Sequence, residues 1–139
     1  RAIQVIEARP WTGTGINTYS VAHQQFDQRK SWRVQNYYSH NGYLQLAAET
    51  GLPSLGCFLA FLICYFLKSL QAAKQFKTEE ERRTVLSFLV GVANFLVFAL
   101  IDTIFHNPPA VIGFWLLAGW GIAYQNLTLA NQAVSCRKD

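Results

Sequence analysis

Three long stretches of this chain carry no charge, and they restrict its fold more than any other feature. Thr50 to Leu67 runs for 18 residues and is closed by Lys68. Thr84 to Ile101 runs for another 18, opened by Arg82 and Arg83 and closed by Asp102. From Asn107 no charge occurs until Arg137, with the apolar part at Val111 to Leu129. At about 1.5 Å per residue, a helix of that length covers about 27 Å, close to the hydrocarbon thickness of a bilayer. Inside lipid only a helix satisfies its own backbone groups over such a distance, so each run is read as a transmembrane helix. The expected fold is therefore all-α and transmembrane: an extracytoplasmic loop segment with short helices over 1–51, then three spanning helices at about 52–70, 84–104 and 109–129. A cytoplasmic loop at 71–83 and a tail at 130–139 complete a bundle covering 52–139.

Composition agrees with that division. Charged residues make up 14% of the chain, where a soluble domain carries about 25%. Mean hydropathy is only +0.12 because the polar residues are segregated and not scarce. The 139 residues suffice for one domain, and the absence of any Met leads to the expectation that the sequence starts inside a longer protein. No signal peptide is visible ahead of residue 51. The net charge of +4 fits juxtamembrane cations and an anionic lipid partner, not a nucleic acid. Cys57 and Cys64 are seven apart, about two helical turns, too far for a disulfide. With Cys136 they form no metal-ligand spacing and read as buried, inert thiols.

Basic residues orient the helices. Residues 68–83 and the tail together hold seven Lys and Arg, while the Phe105-His106-Asn107-Pro108-Pro109 hairpin holds none. The positive-inside rule puts the former in the cytoplasm and the hairpin outside. Residues 1–51 then lie on the outer face, although they carry Arg1, Arg9, Arg29, Lys30 and Arg33. Five cations on the translocated side call for an anionic ligand. Within the helices, Gly119 and Ala123, and likewise Gly91 and Ala93, are expected to permit close helix contact. Asn94 is expected to hydrogen-bond a neighbouring helix.

The chemistry is concentrated in residues 1–51. Pro10-x-x-Gly13-x-Gly15 suits a tight turn and lacks the Lys and spacing of a phosphate-binding P-loop. Phe26 to Arg33 is basic and aromatic, and Tyr37-Tyr38-Ser39-His40-Asn41-Gly42-Tyr43 follows. The glycine element, then His40-Asn41 followed by nine residues and Gly51, resembles the O-antigen ligase and polymerase superfamily, whose ligases carry a His-Asn/Ser/Gln pair, nine residues and Gly-x-x-Gly before a membrane helix. Here Ser54 stands in place of the second Gly, with Gly56 two positions on. Asp102-Thr103, Pro109, Val111 and Phe114-Trp115-Leu116 are similar to cyanobacterial members once labelled bicarbonate transporters.

That resemblance implies the C-terminal part of a metal-independent, cofactor-free glycosyltransferase of the cell envelope, of the kind that builds lipopolysaccharide. Such an enzyme moves a glycan from a polyprenyl-diphosphate donor to an acceptor hydroxyl on the outer face of a bacterial inner (or thylakoid-type) membrane. It implies His40 as the catalytic residue that activates or positions the hydroxyl, Arg33 and Arg29 as donor-binding residues, and Asn41, Gly51 and Glu49 as supports of the motif. The chemistry agrees: imidazole accepts a proton near neutral pH, and a diphosphate suits bidentate guanidinium donors. Partners would be the lipid-linked glycan or an anionic head group, and the remaining helices of the parent protein or of a membrane complex. Glu49 also reads as a plain interface residue. Asp102 and His106 would face each other if the second helix reached that far, and His23 reads as solvated. The other readings are a transporter-associated protein and a small accessory subunit that kept the scaffold without catalysis; the His40-Asn41 pair favours the enzyme.

Overall fold

A computed structural model describes residues 1–26 and 38–135. Every regular element among them is helical: α1 (Ala2–Ala8), α2 (Tyr19–Gln24), α3 (Gly42–Thr50), α4 (Leu52–Gln75), α5 (Glu79–Phe98), a 3₁₀ turn (Ile104–His106) and α6 (Pro108–Ser135). The chain divides into two compact units, one of residues 1–60 and 97–111, the other of residues 61–96 and 112–139.

The first unit is held by the short helices. α1, α2 and α3 pack on one another around Val5, Tyr19, Ala22 and Ala48, with Ala2, Ile6 and Phe26 alongside. Burial pushes the Tyr19 hydroxyl pKa above the ordinary tyrosine range, against a smaller opposing pull from Arg1. His23, expected in solvent, is only 5% exposed and lies beside the Tyr19 ring. α2 turns this face onto the core, where Tyr19 and Ala22 of the same helix are also buried.

α3 explains the spacing between His40-Asn41 and Gly51. Asn41 is its N-cap, with Oδ1 accepting from the Leu44 N–H at 2.9 Å. The helix itself is nine residues long, and Gly51 closes it with φ of +86° before α4 begins at Leu52. The motif is thus a cap, one short helix and a second cap.

The glycine-bearing turn is laced to the end of that helix. Thr14 N–H donates to Ala48 O at 3.0 Å, Gly15 N–H to Glu49 O at 2.9 Å, and Leu52 N–H to Pro10 O at 2.8 Å. A Cβ on Gly13 would fall 2.3 Å from the Glu49 carbonyl, and one on Gly51 would fall 2.4 Å from Trp11 O. Both glycines also have positive φ, +66° and +86°. Crowding against backbone and the left-handed conformation act together, so Gly13→Ala and Gly51→Ala should each cost at least about 2 kcal/mol. Hydrogen exchange checks this: the Thr14, Gly15 and Leu52 amides should lose protection in both variants. Gly56→Ala, where nothing lies within 4 Å of the added carbon, should leave them protected.

In the second unit α5 starts with a capping box. Thr78 N–H donates to Glu81 Oε2 and Glu81 N–H to Thr78 Oγ1, both at 3.2 Å, and Glu79 to Glu81 oppose the helix dipole favourably. Gln132 Nε2 in α6 donates to the same Glu81 carboxylate at 3.0 Å. Rings pack between helices, as in Phe95 on Phe114 and Phe61 on Trp115. Small-residue contacts occur at Gly91, which meets Leu117, and at Gly121, which meets Tyr65 and Phe88. Gly119 has open space where a Cβ would be, and Ala123 is exposed, so that expected pair faces away. Asn94 is also exposed. Cys57 and Cys64 are free and exposed, not buried as expected.

Of the three charge-free runs, α4 forms a helix long and apolar enough to cross a membrane. Only 22% of its most apolar stretch is buried within the chain, so it is not a core helix of these units. α5 carries Glu79 to Arg83 in its first turns and ends at Phe98, and α6 includes Gln125, Asn126, Asn131 and Gln132. These polar residues keep α5 and α6 below the same measure.

Candidate functional site

The expected site residues fall in three groups. Arg29 and Arg33 lie outside the described residues. His40 is exposed and occupies the left-handed region with φ of +50°. Its neighbours hold that conformation: Ser39 Oγ donates to Asn41 O at 2.6 Å and accepts from Asn41 N–H at 3.3 Å. Asn41 is fixed in turn, since its Nδ2 donates to Leu100 O at 3.0 Å. Gly42 completes the clamp, with its N–H on Ala99 O at 2.8 Å and the Phe105 ring against its Cα. The His40 imidazole is therefore presented from a fixed backbone and points outward.

Glu49 belongs to a different environment from the interface position expected of it. It is 3% exposed. Asn17 N–H donates to its Oε2 at 2.9 Å, Tyr19 N–H to Oε1 at 3.2 Å, and Gln45 Nε2 to Oε1 at 3.3 Å. The fourth partner is His106, whose Nε2 lies 3.0 Å from Oε2 and 3.1 Å from Oε1. A carboxylate only accepts, so the proton of His106 sits on Nε2 and faces Glu49. Nδ1 is buried without a partner among the described residues.

Gln45 joins the two histidine regions. Its Oε1 accepts from Ser39 N–H at 3.2 Å, which fixes the amide orientation and leaves Nε2 for Glu49. The 3.1 Å approach of Gln45 Nε2 to His106 Nε2 is then a contact between two donors that share one carboxylate. A line of polar contacts runs from the backbone beside His40, through Gln45, to Glu49 and His106.

His106 would face Asp102 only if the second helix reached that far. That pairing needs helical spacing, and α5 ends at Phe98. A turn and the 3₁₀ segment follow, Asp102 caps locally onto Thr103 N–H at 2.7 Å, and His106 swings to Glu49. His106 borders two open cavities. One, of about 380 Å³, includes Asn17, Leu46, Glu49 and Phe105; the other, of about 330 Å³, includes Tyr38, Asp102 and Asn107. Among the described residues no three His, Cys, Asp or Glu side chains gather in a way that would hold a metal ion.

A sequence model of the O-antigen ligase family matches residues 1–59. The matched stretch takes in the glycine turn, His40-Asn41, all of α3, Gly51 and the start of α4. Residues 102–116 lie beyond it, and the similarity to cyanobacterial members expected there is not shown. Comparison with curated proteins and with solved structures finds no match. The family match together with the apolar helix α4 supports an O-antigen ligase-like membrane protein.

Proposed function

We propose that this chain is part of a membrane glycosyltransferase of the O-antigen ligase type, moving a glycan from a polyprenyl-diphosphate donor to an acceptor hydroxyl. One observation carries the reading. Within the stretch that matches the family model, the described residues of the glycine turn, Asn41, α3 and Gly51 are tied together by hydrogen bonds, and His40 stands exposed next to the cap of α3.

The reaction assigns roles as follows. The acceptor oxygen attacks the anomeric carbon of the donor glycan while the bond from that carbon to the diphosphate oxygen breaks. The diphosphate departs with the bonding electrons, and the His40 imidazole takes the hydroxyl proton. Arg29 and Arg33 receive the growing negative charge on the diphosphate with paired N–H donors. The segment 1–51 stands on the outer face of a bacterial inner or thylakoid-type membrane. α4, α5 and α6 span it, with neighbouring helices of the same protein or complex around the lipid donor.

The experiment is transfer of a polyprenyl-diphosphate-linked glycan to a lipid acceptor in native membrane vesicles. Replacing Arg29 and Arg33 by Gln should reduce turnover without reducing the amount of protein in the membrane. Replacement by Lys should recover less than full activity, because an ammonium lacks the planar fork. Wild-type turnover in both variants would reduce these arginines to interfacial anchors.

Topology is tested separately. In a chain without its native cysteines, Lys77→Cys and Asn107→Cys should label from opposite sides of sealed vesicles, since both positions are exposed. Labelling of both from one side would rule out three spans.

A further inference from the structure

The second unit contains a small cavity of about 260 Å³ between α4 and α6, bordered by Cys64, Tyr65 and Lys68 on one side and Gln125 and Asn126 on the other. Its two most deeply placed polar groups are unusual for their surroundings. Tyr65 is 4% exposed and Gln125 is 6% exposed, yet Tyr65 Oη and Gln125 Oε1 are buried with no hydrogen-bond partner among the described residues. Buried polar atoms are almost always paired, and leaving two unpaired beside one cavity is unfavourable. A ligand in the cavity would supply both partners.

The geometry is fixed by packing. The Tyr65 ring stacks on Phe61 and meets the edge of Phe66. Its hydroxyl stands directly against α6 at Gly121, where a Cβ would come within 2.8 Å of the oxygen. One turn further along α4 is Lys68, and one turn further along α6 is Gln125, so both helices bring a polar group to the same end of the cavity.

These groups define the ligand. The Tyr65 hydroxyl and the Lys68 ammonium are donors and call for a negatively charged oxygen acceptor, which a phosphate supplies. The Gln125 carbonyl oxygen calls for a donor. An ammonium would be repelled by Lys68, the one charged residue bordering the cavity among the described residues, whereas a hydroxyl would not. The volume is below the roughly 300–1,000 Å³ of clefts that enclose drug-sized molecules, which suits a headgroup and not a whole lipid. Lys68 closes the charge-free run of α4, at the level where lipid phosphates meet juxtamembrane cations.

We propose that Tyr65, Lys68 and Gln125 form a headgroup site for an anionic glycerophospholipid whose phosphodiester carries a free hydroxyl, of the phosphatidylglycerol type. The site lies on a different unit from His40, and the proposal requires only that α4 lie in a membrane, not that the chain transfer glycans.

Cys64 provides the reporter, because its exposed thiol borders the cavity. With Cys57→Ser and Cys136→Ser in the full chain, alkylation of Cys64 by an uncharged maleimide is timed in vesicles of phosphatidylcholine. The same measurement is made with phosphatidylglycerol added, with phosphatidylethanolamine added, or with soluble glycerol phosphate. Phosphatidylglycerol at saturating content should slow alkylation on the order of tenfold, and the ethanolamine lipid should not. Tyr65→Phe, which keeps the packed ring, and Lys68→Gln should each restore the fast rate. Equal rates in all lipids overturn the proposal, as does slowing by phosphatidylglycerol that persists in both variants, which would be general surface charge. Slowing by soluble glycerol phosphate as strong as by the lipid would overturn the lipid as occupant. Native mass spectrometry of the unsubstituted chain provides a check independent of the variants: retained phosphatidylglycerol in preference to phosphatidylethanolamine supports the site, and equal retention overturns it.

Discussion

Replacing His40 by alanine is expected to slow glycan transfer by about 10²–10⁴-fold, the usual contribution of a positioned general base. Protein folding and membrane insertion should be unchanged. The structure makes the test clean. His40 is exposed, and its backbone is held through Ser39, Asn41 and Gly42 and not through its own ring. Its φ of +50° is a conformation that asparagine adopts readily, so His40→Asn preserves the backbone while removing the proton acceptor. Both variants should be slow, and His40→Gln should be slow as well, because an amide cannot take up a proton. His23→Ala is unsuitable as a control, since His23 is buried against Tyr19. Gln4→Ala, on the exposed side of α1, serves instead. Full transfer in His40→Asn would remove His40 from the chemistry.

The second large effect is on stability. Glu49→Ala should destabilise the first unit by about 3–5 kcal/mol, because each buried donor left without its acceptor costs about 1–3 kcal/mol. The substitution strands the Asn17 and Tyr19 N–H groups, the Gln45 amide and the His106 Nε2–H, all of which converge on the one carboxylate. A loss of that size is a large share of the stability of a small domain. Hydrogen exchange in detergent should show protection lost across α1, α2 and α3 together, with the second unit retained. His106→Ala should cost less, because the two backbone donors continue to hold Glu49 in place. In a double-mutant cycle the two sites should couple by at least about 1 kcal/mol. Additive effects would show that the 3.0 Å contact between Glu49 and His106 contributes little.

What could be read from the residues alone divides along physical lines. Local order was legible: the His-Asn pair, the nine residues after it and the glycine that follows them are a cap, a helix and a cap, each specified by neighbours in sequence. The glycine turn was legible as a turn, but not as a strap over the end of α3, because that role depends on the backbone of residues 48–52. The Glu49–His106 pair left no trace. Its members are 57 positions apart, and each had a plausible local reading, Glu49 as an interface residue and His106 as the partner of Asp102. Helix limits moved for a related reason. Freedom from charge marks what lipid tolerates, whereas a helix continues through Lys68 and Lys74 in α4 and begins at Glu79 in α5, where the acids favour its first turn. The small-residue face of α6 was placed two positions early, at Gly119, because spacing identifies a stripe and only packing identifies which stripe is covered.

The length of α3 has a consequence for how this region can vary. Asn41, Gln45 and Glu49 recur at every fourth position, so the histidine turn at one end and the carboxylate at the other share a rotational phase. Adding or removing a single residue between them would turn one end by about 100° relative to the other and shift it by about 1.5 Å. Ser39 would then lose Gln45, or Gln45 would lose Glu49, whichever side of the change each stood on. Surface segments usually tolerate insertions and deletions. This one should accept substitutions at its exposed positions while rejecting any change in count, and a scan of single-codon insertions would separate those two kinds of tolerance directly.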